Sequence, residues 1–251
     1  MGLALASSPL ISIGKNRSSL SILFTNDWHS RIEPFPMDGG KYQGLGGASK
    51  RAALINKIRS ENKHTLLLDS GDIFQGTPYF NFFGGKLEFE LMSQMKYDAA
   101  TLGNHDFDNG IDGLVEQLPS AKFPFLNCNY DFPNTSLTSH FEPYNIFTKG
   151  GTRIGVLGIG IELDGLVSKK LYGGVQYRDP ILYANETASH LKEKKKCDLI
   201  ICLSHLGYEY KTDKVSDVTF AKQSKHIDLI LGGHTHTFLD RPTQVINNHG
   251  K

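Results

Sequence analysis

Five places in the 251-residue chain gather residue types that bind metals. Asp27 and His29 stand in "ILFTNDWH", Asp72 in "LLLDSGD", Asn104 and His105 in "AATLGNHDFD", His205 in "LIICLSH", and His234 with His236 in "LILGGHTH". Each cluster ends an apolar run. Carboxylate and amide oxygens with imidazole nitrogens suit Mn, Zn, Fe and Co alike, so the donor set leaves the metal unnamed. The donors exceed what one four- to six-coordinate ion takes up, so two divalent ions are expected. In an extended segment residues i and i+2 face the same side, so Asp27 with His29, and His234 with His236, are expected to converge. Asn104 and His105 are adjacent and must point differently. One can bind metal while the other faces whatever lies above it.

Strands are predicted over 20–26, 65–70, 98–103, 123–128, 153–160, 198–204, 228–233 and 243–247, where short apolar runs are bounded by turn residues. Helices are predicted near 47–60, 86–95, 110–118, 180–196 and 215–225, with amphipathic spacing clearest in "ASKRAALINKIRSE". Their alternation argues for an α/β fold. The text around Gly150 and Gly151 reads as an antiparallel hairpin, so the sheets are expected to be mixed. In open α/β sheets ligands bind beyond the carboxyl ends of strands, where loops from several strands converge. The five clusters are therefore expected to share one site.

The remaining features exclude more than they assign. Lys and Arg number 27 against 26 for Asp and Glu, which gives no basis for binding a nucleic-acid polymer or a membrane surface through bulk charge. No run reaches the roughly 20 apolar residues that a membrane span needs. Cys128, Cys197 and Cys202 lack a CxxC spacing and read as small apolar residues without chemistry. "GLGG" (44–47) lacks the spacing and the Lys of a P-loop and reads as a turn opening a helix. His64, His140, His190, His226 and His249 join no cluster, and Trp28 between two candidate ligands reads as packing. The aromatics of "TPYFNFF" are expected to pack beneath the "FQG" loop. Asn16, Asn134 and Asn185 lie in N-x-S/T triplets, which matter in a glycosylating secretory pathway. Residues 1–19 read as a tail or a signal-peptide remnant, because Ala4-Leu5-Ala6 has the small-residue character of a cleavage site. Export to a periplasmic or extracellular space is the expectation.

Taken together, "NDWH", "SGDIFQG", "GNHDFD", "SHLGY" and "GGHTH" resemble the calcineurin-like metallophosphoesterases. The wider text "TNDWHSRIEP", "DSGDIFQGTPYF" and "TLGNHDFDNG" is similar to the N-terminal catalytic domain of the 5′-nucleotidases. The resemblance implies a four-layer α/β-β/α sandwich of two mixed sheets over residues 20–251. It further implies that Asp27, His29, Asp72 and His236 hold one metal, with Asp72 bridging to a second held by Asn104, His205 and His234. His105 and Asp108 match the catalytic pair, the imidazole stabilising the phosphoryl group or protonating the leaving oxygen and the carboxylate orienting it. Two dications outweigh the two carboxylates and a bridging hydroxide, so an anionic phosphate ester is wanted, attacked in line by that hydroxide.

In the 5′-nucleotidases a second, C-terminal domain contacts the nucleoside. This sequence stops at "NNHGK" without one. Truncation is expected, with the nucleoside-binding domain supplied in cis or by a separate chain. A small phosphate ester, foremost a nucleotide, is the expected substrate. Cyclic nucleotides, nucleotide sugars and thiosulfonate conjugates are alternatives, as is a non-catalytic module that keeps the fold.

Overall fold

The computed structural model describes residues 19–250. The tail expectation lies outside these residues except at Ser19, whose hydroxyl accepts from Asn62 Nδ2 at 3.1 Å. The chain runs β1 (Ser21–Thr25), α1 (Ala48–Glu61), β2 (Thr65–Asp69), α2 (Pro78–Phe83), α3 (Lys86–Gln94), β3 (Ala99–Ala100), α4 (Gly110–Gln117) and β4 (Tyr130–Asp131). It continues through β5 (Tyr144–Lys149), β6 (Thr152–Ile159), α5 (Lys169–Tyr172), β7 (Gln176–Tyr177), α6 (Pro180–Glu193), β8 (Leu199–Ser204), α7 (Asp217–Gln223) and β9 (Leu229–Gly232).

Two main sheets form, ordered β1-β2-β3 and β5-β6-β8-β9, with a small β4-β7 pair beside them. The first is parallel between its described strands, and the second is mixed because the β5–β6 hairpin turns at Gly150 and Gly151. Alternation along each strand sorts its side chains between faces. Leu66 and Leu68 of β2 pack with Ile154 and Val156 of β6 and Ile201 and Leu203 of β8 in a core between the sheets. Leu67, one residue out of phase, joins Ile55, Phe89, Met92 and Leu114 from α1, α3 and α4 on the outer face. On the other outside, Leu157, Ile200 and Cys202 meet Ala184, Ala188 and Leu191 of α6 and Phe220 of α7. The order of layers is therefore helices, sheet, sheet, helices. Each large apolar side chain so buried contributes about 1.5–3 kcal/mol.

Two predicted strands differ. Residues 123–128 make isolated bridges, Ala100 to Phe125 and Leu126 to Glu142, rather than a full ladder. Residues 243–247 form no strand. Side chains hold that segment instead: Asn247 Nδ2 donates to Ser224 O at 2.9 Å, and the Tyr208 and Thr243 hydroxyls lie 2.9 Å apart. No helix among the described residues is long and apolar enough to cross a membrane.

Candidate metal centre

All five clusters arrive at one end of the two sheets. The loop after β2 joins that after β1 through Asp27 N donating to Gly71 O (2.9 Å) and His29 N to Asp72 O (3.0 Å). Ser70 links the sheets, its hydroxyl donating to Leu231 O on β9 at 2.7 Å. Asp27 also crosses between sheets: its carboxylate oxygens accept His234 N at 2.9 and 3.0 Å.

Asp27, His29 and His236 form one group that could hold a metal ion, and Asp72, His205 and His234 form a second. His29 Nε2 lies 3.0 Å from His236 Nε2, and His236 Nε2 lies 3.4 Å from Asp27 Oδ1. Asp72 Oδ2 faces both groups, 3.0 Å from His205 Nε2 and 3.9 Å from His29 Nε2. The pairs at i and i+2 do converge, though not through extended backbone. Asp27, His29, His234 and His236 have φ of 49°, 49°, 74° and 49°, and Asp72 has 54°. Non-glycine residues held in this left-handed region are strained, and such strain concentrates at functional sites.

The residues fit a pair of cations by three observations. Asn104 Oδ1 is buried without a hydrogen-bond partner, which is costly unless something absent from the protein itself satisfies it. His205 Nδ1 lies 2.7 Å from Ser70 O. A carbonyl can only accept, so Nδ1 carries a proton, and Nε2, turned toward Asp72, is the atom left to meet a metal once its own proton is displaced. Burial lowers His29, and burial together with the charge of His205 brings His234 down to about 4, so both imidazoles present neutral lone pairs. Burial alone would raise Asp72 and lower His205, but their attraction reverses both: Asp72 is held well below the carboxylate range and His205 is raised. Without cations this pair carries the charge that a metal would otherwise balance.

His105 and Asp108 begin and close a 3-10 turn, with His105 Nδ1 2.6 Å from Asp108 Oδ2. The His105 ring is 5.3 Å from that of His29, and its backbone N donates to Asp72 Oδ1 at 2.7 Å. Hydrogen bonding to Asp108 is the largest cause raising the His105 pKa. Trp28 points into the core, 2% exposed, with Nε1 donating to Arg31 O at 2.7 Å and the Arg51 guanidinium 4.4 Å from its ring. Gly47 caps α1 as the turn reading of "GLGG" requires, and Phe80 packs on the core from α2 whereas Phe82 is exposed.

Sequence reasoning passed over Ser70 and Asp106. Asp106 is fully buried between the catalytic-pair matches, and its carboxylate accepts backbone N–H groups from two loops. Burial, and after it the charge of Asp72, push it up to about 7, while hydrogen bonds from Gly103 and Phe74 pull the other way. Its signal in the sequence was an acid among the apolar and ligand residues of "GNHDFD", and Ser70 lies inside "DSGD".

Comparison with known proteins agrees with this geometry. The calcineurin-like phosphoesterase family model matches residues 20–238. Snake venom 5′-nucleotidase of Crotalus adamanteus is 36% identical over 239 residues, covering 91% of this chain and 39% of that protein. The 5′-nucleotidase of Vibrio cholerae is 36% identical over 227 residues, covering 86% and 40%. The chain thus spans about two-fifths of the length of these curated relatives. Among solved structures, a 5′-nucleotidase precursor from Thermus thermophilus superposes with TM-score 0.81 at 32% identity, covering 92% of this chain and 47% of that one. The NAD nucleotidase of Haemophilus influenzae gives 0.81 at 31%, covering 92% and 48%. With its two sheets, its paired groups of ligands and a family match over most of its length, the chain belongs to the calcineurin-like phosphoesterases.

Proposed function

We propose that residues 20–251 are the catalytic, dimetal part of a phosphohydrolase acting on 5′-nucleotides or closely related phosphate monoesters. The observation carrying this reading is the Asp72 oxygen placed between His205 and His29, with a group of His and Asp on either side. In this reading Asp27, His29, Asp72 and His236 hold one ion, and Asn104, His205 and His234 hold the other, with Asp72 shared. When bound, two divalent ions supply positive charge for a phosphate dianion and acidify water toward neutral pH.

The chain's own residues do the rest. Ser70 O fixes the His205 tautomer, and the Asp27 carboxylate ties the β9 loop to the β1 loop. Asp108 fixes the His105 ring through Nδ1 and favours the imidazolium, which leaves Nε2 as the proton donor to a leaving oxygen or as a positive partner for the phosphoryl group. The 35% side-chain exposure of His105 lets a substrate reach it.

A nucleotide pyrophosphate is the second reading, favoured by the likeness to the Haemophilus influenzae NAD nucleotidase. Contacts to the nucleoside are assigned to a further domain, in cis or on a separate chain, because the relatives are more than twice as long as their matched region. Export to a periplasmic or extracellular space fits the Ala4-Leu5-Ala6 triplet and the likeness to a venom enzyme.

Protein loaded with Mn, Zn, Fe or Co and assayed on AMP, NAD, UDP-glucose, a cyclic nucleotide and p-nitrophenyl phosphate tests the proposal. Metal-dependent phosphate release from AMP, lost on chelation, is expected. Two bound ions with no hydrolysis of any compound would leave a non-catalytic module instead.

A further inference from the structure

Two loops carry the shared carboxylate and the catalytic imidazole, and one buried side chain joins them. Asp106 Oδ2 accepts Asp72 N at 3.0 Å and Gly103 N at 2.8 Å, while Oδ1 accepts Ile73 N at 2.9 Å and Phe74 N at 3.2 Å. In return, Asp72 Oδ1 accepts His105 N at 2.7 Å. The loops thus exchange hydrogen bonds in both directions. Their approach depends on missing side chains: a Cβ on Gly71, whose φ is +87°, would meet the Gly103 backbone, and one on Gly103 would meet Asp72. Asp106 itself is 0% exposed and faces backbone rather than the cavity of the site.

We propose that Asp106 is a positioning residue that sets the spacing of the two metal-holding groups by splinting the Asp72 loop to the Asn104–His105 loop. The proposal rests on the dimetal reading above and adds to it a residue outside the ligand set. The left-handed φ of 54° at Asp72 aims its carboxylate between His205 and His29, and three consecutive N–H groups anchored on the two oxygens of one carboxylate hold that turn. Asparagine is nearly isosteric with aspartate, yet it offers one acceptor oxygen where two are used. Its amide NH2 would oppose either Ile73 N and Phe74 N or Asp72 N and Gly103 N, donor against donor. Outer contacts of this kind, when lost, cost about 10–100-fold in metal affinity or activity.

The test measures Mn2+ affinity by calorimetry, kcat and KM on AMP, and amide hydrogen exchange in Asp106→Asn, Asp106→Glu and wild type. Asp106→Asn is expected to weaken Mn2+ binding about 10–100-fold, lower kcat with KM little changed, and speed exchange at Asp72, Ile73, Phe74 and Gly103 in the metal-free protein. Asp106→Glu, which keeps both oxygens, is expected to restore most of the affinity. Unchanged Mn2+ affinity, or unchanged exchange at those four amides, in Asp106→Asn overturns the proposal. If Asp106→Asn does not fold, rapid exchange of the four amides in wild type overturns it equally. Wild-type protein that binds none of Mn2+, Zn2+, Fe2+ and Co2+ would sink the phosphohydrolase reading instead, and the metal-free exchange data would still decide the role of Asp106.

Discussion

His105 Nδ1 lies 2.6 Å from Asp108 Oδ2 across a single 3-10 turn, while the backbone N of the same histidine holds Asp72 Oδ1 at 2.7 Å. One residue therefore ties the proton-bearing imidazole to the carboxylate between the metal groups. Its ring can be removed without touching a ligand. His105→Asn keeps the backbone donor, so metal content by elemental analysis should match wild type while kcat on AMP falls roughly 10²–10⁴-fold. Asp108→Asn should cost less, about 10–100-fold, because the ring stays and loses its orienting anion. Equal turnover in His105→Asn and wild type would remove the imidazole from the mechanism.

Metal removal should destabilise the protein as well as silence it. Asn104 Oδ1 is buried without a partner, and five of the proposed ligand residues sit in left-handed backbone. Cations held by these residues would bind the folded chain and not the unfolded one. At a free concentration one hundred times Kd, one such ion stabilises by about 2.7 kcal/mol. Thermal unfolding followed by circular dichroism, with EDTA and then with Mn2+ or Zn2+, should show a rise in Tm that depends on metal concentration. A Tm indifferent to both would mean that the two groups do not bind ions in the native fold.

The glycines at the loop contact make a sharper structural prediction. A Cβ at Gly103 would run into the Asp72 carboxylate, pinned by His105 N, and into the Asp72 backbone nitrogen, which has no side-chain freedom to yield. Gly103→Ala should therefore displace Asp72, cost about 1–3 kcal/mol in urea unfolding through overpacking, and weaken metal binding together with stability. Gly39→Ala offers a control, since nothing lies within 4 Å of its added Cβ, although its own φ of +80° carries some strain. Similar metal affinity in the two variants would argue that the Gly103 contact does not position Asp72.

What the sequence disclosed depends on how local each signal is. The unbroken apolar run Leu66-Leu67-Leu68, closed by Asp69 and Ser70, marks β2 as a strand covered on both faces, and the donors at five strand ends were legible because chemistry-bearing side chains rarely follow apolar runs so consistently. The backbone that brings Asp27 to His29 was not legible. Extended geometry gives the same convergence as the left-handed turns found here, so a correct pairing followed from a wrong local conformation. Residues 243–247 read as a strand by composition, but a ladder needs a partner, and Asn247 instead bonds to Ser224 near the end of α7. Asp106 stayed hidden because its partners are backbone N–H groups that no residue type announces.

Asp217 gives stability a pH dependence whose sign can be worked out. It opens α7, its Oδ1 accepts the Ser204 hydroxyl, and a Cβ on Gly232 of β9 would touch its other oxygen, so the carboxyl is enclosed by β8, β9 and its own helix. Burial pushes its pKa from 3.8 up to about 7, against smaller opposing effects of Ser204 and His205. Between those values the folded chain holds a proton that the unfolded chain has released, so its contribution to stability falls as pH rises. That contribution is fully present below about pH 4 and lost by about pH 7, an effect on the order of 4 kcal/mol at most. Asp217→Asn keeps an oxygen for Ser204 and has no proton to lose. The stability of wild type minus that of Asp217→Asn, from urea unfolding in EDTA between pH 4.5 and 8, should decline with pH and then level. A difference that rose with pH would mean that Asp217 is buried as a stabilised anion.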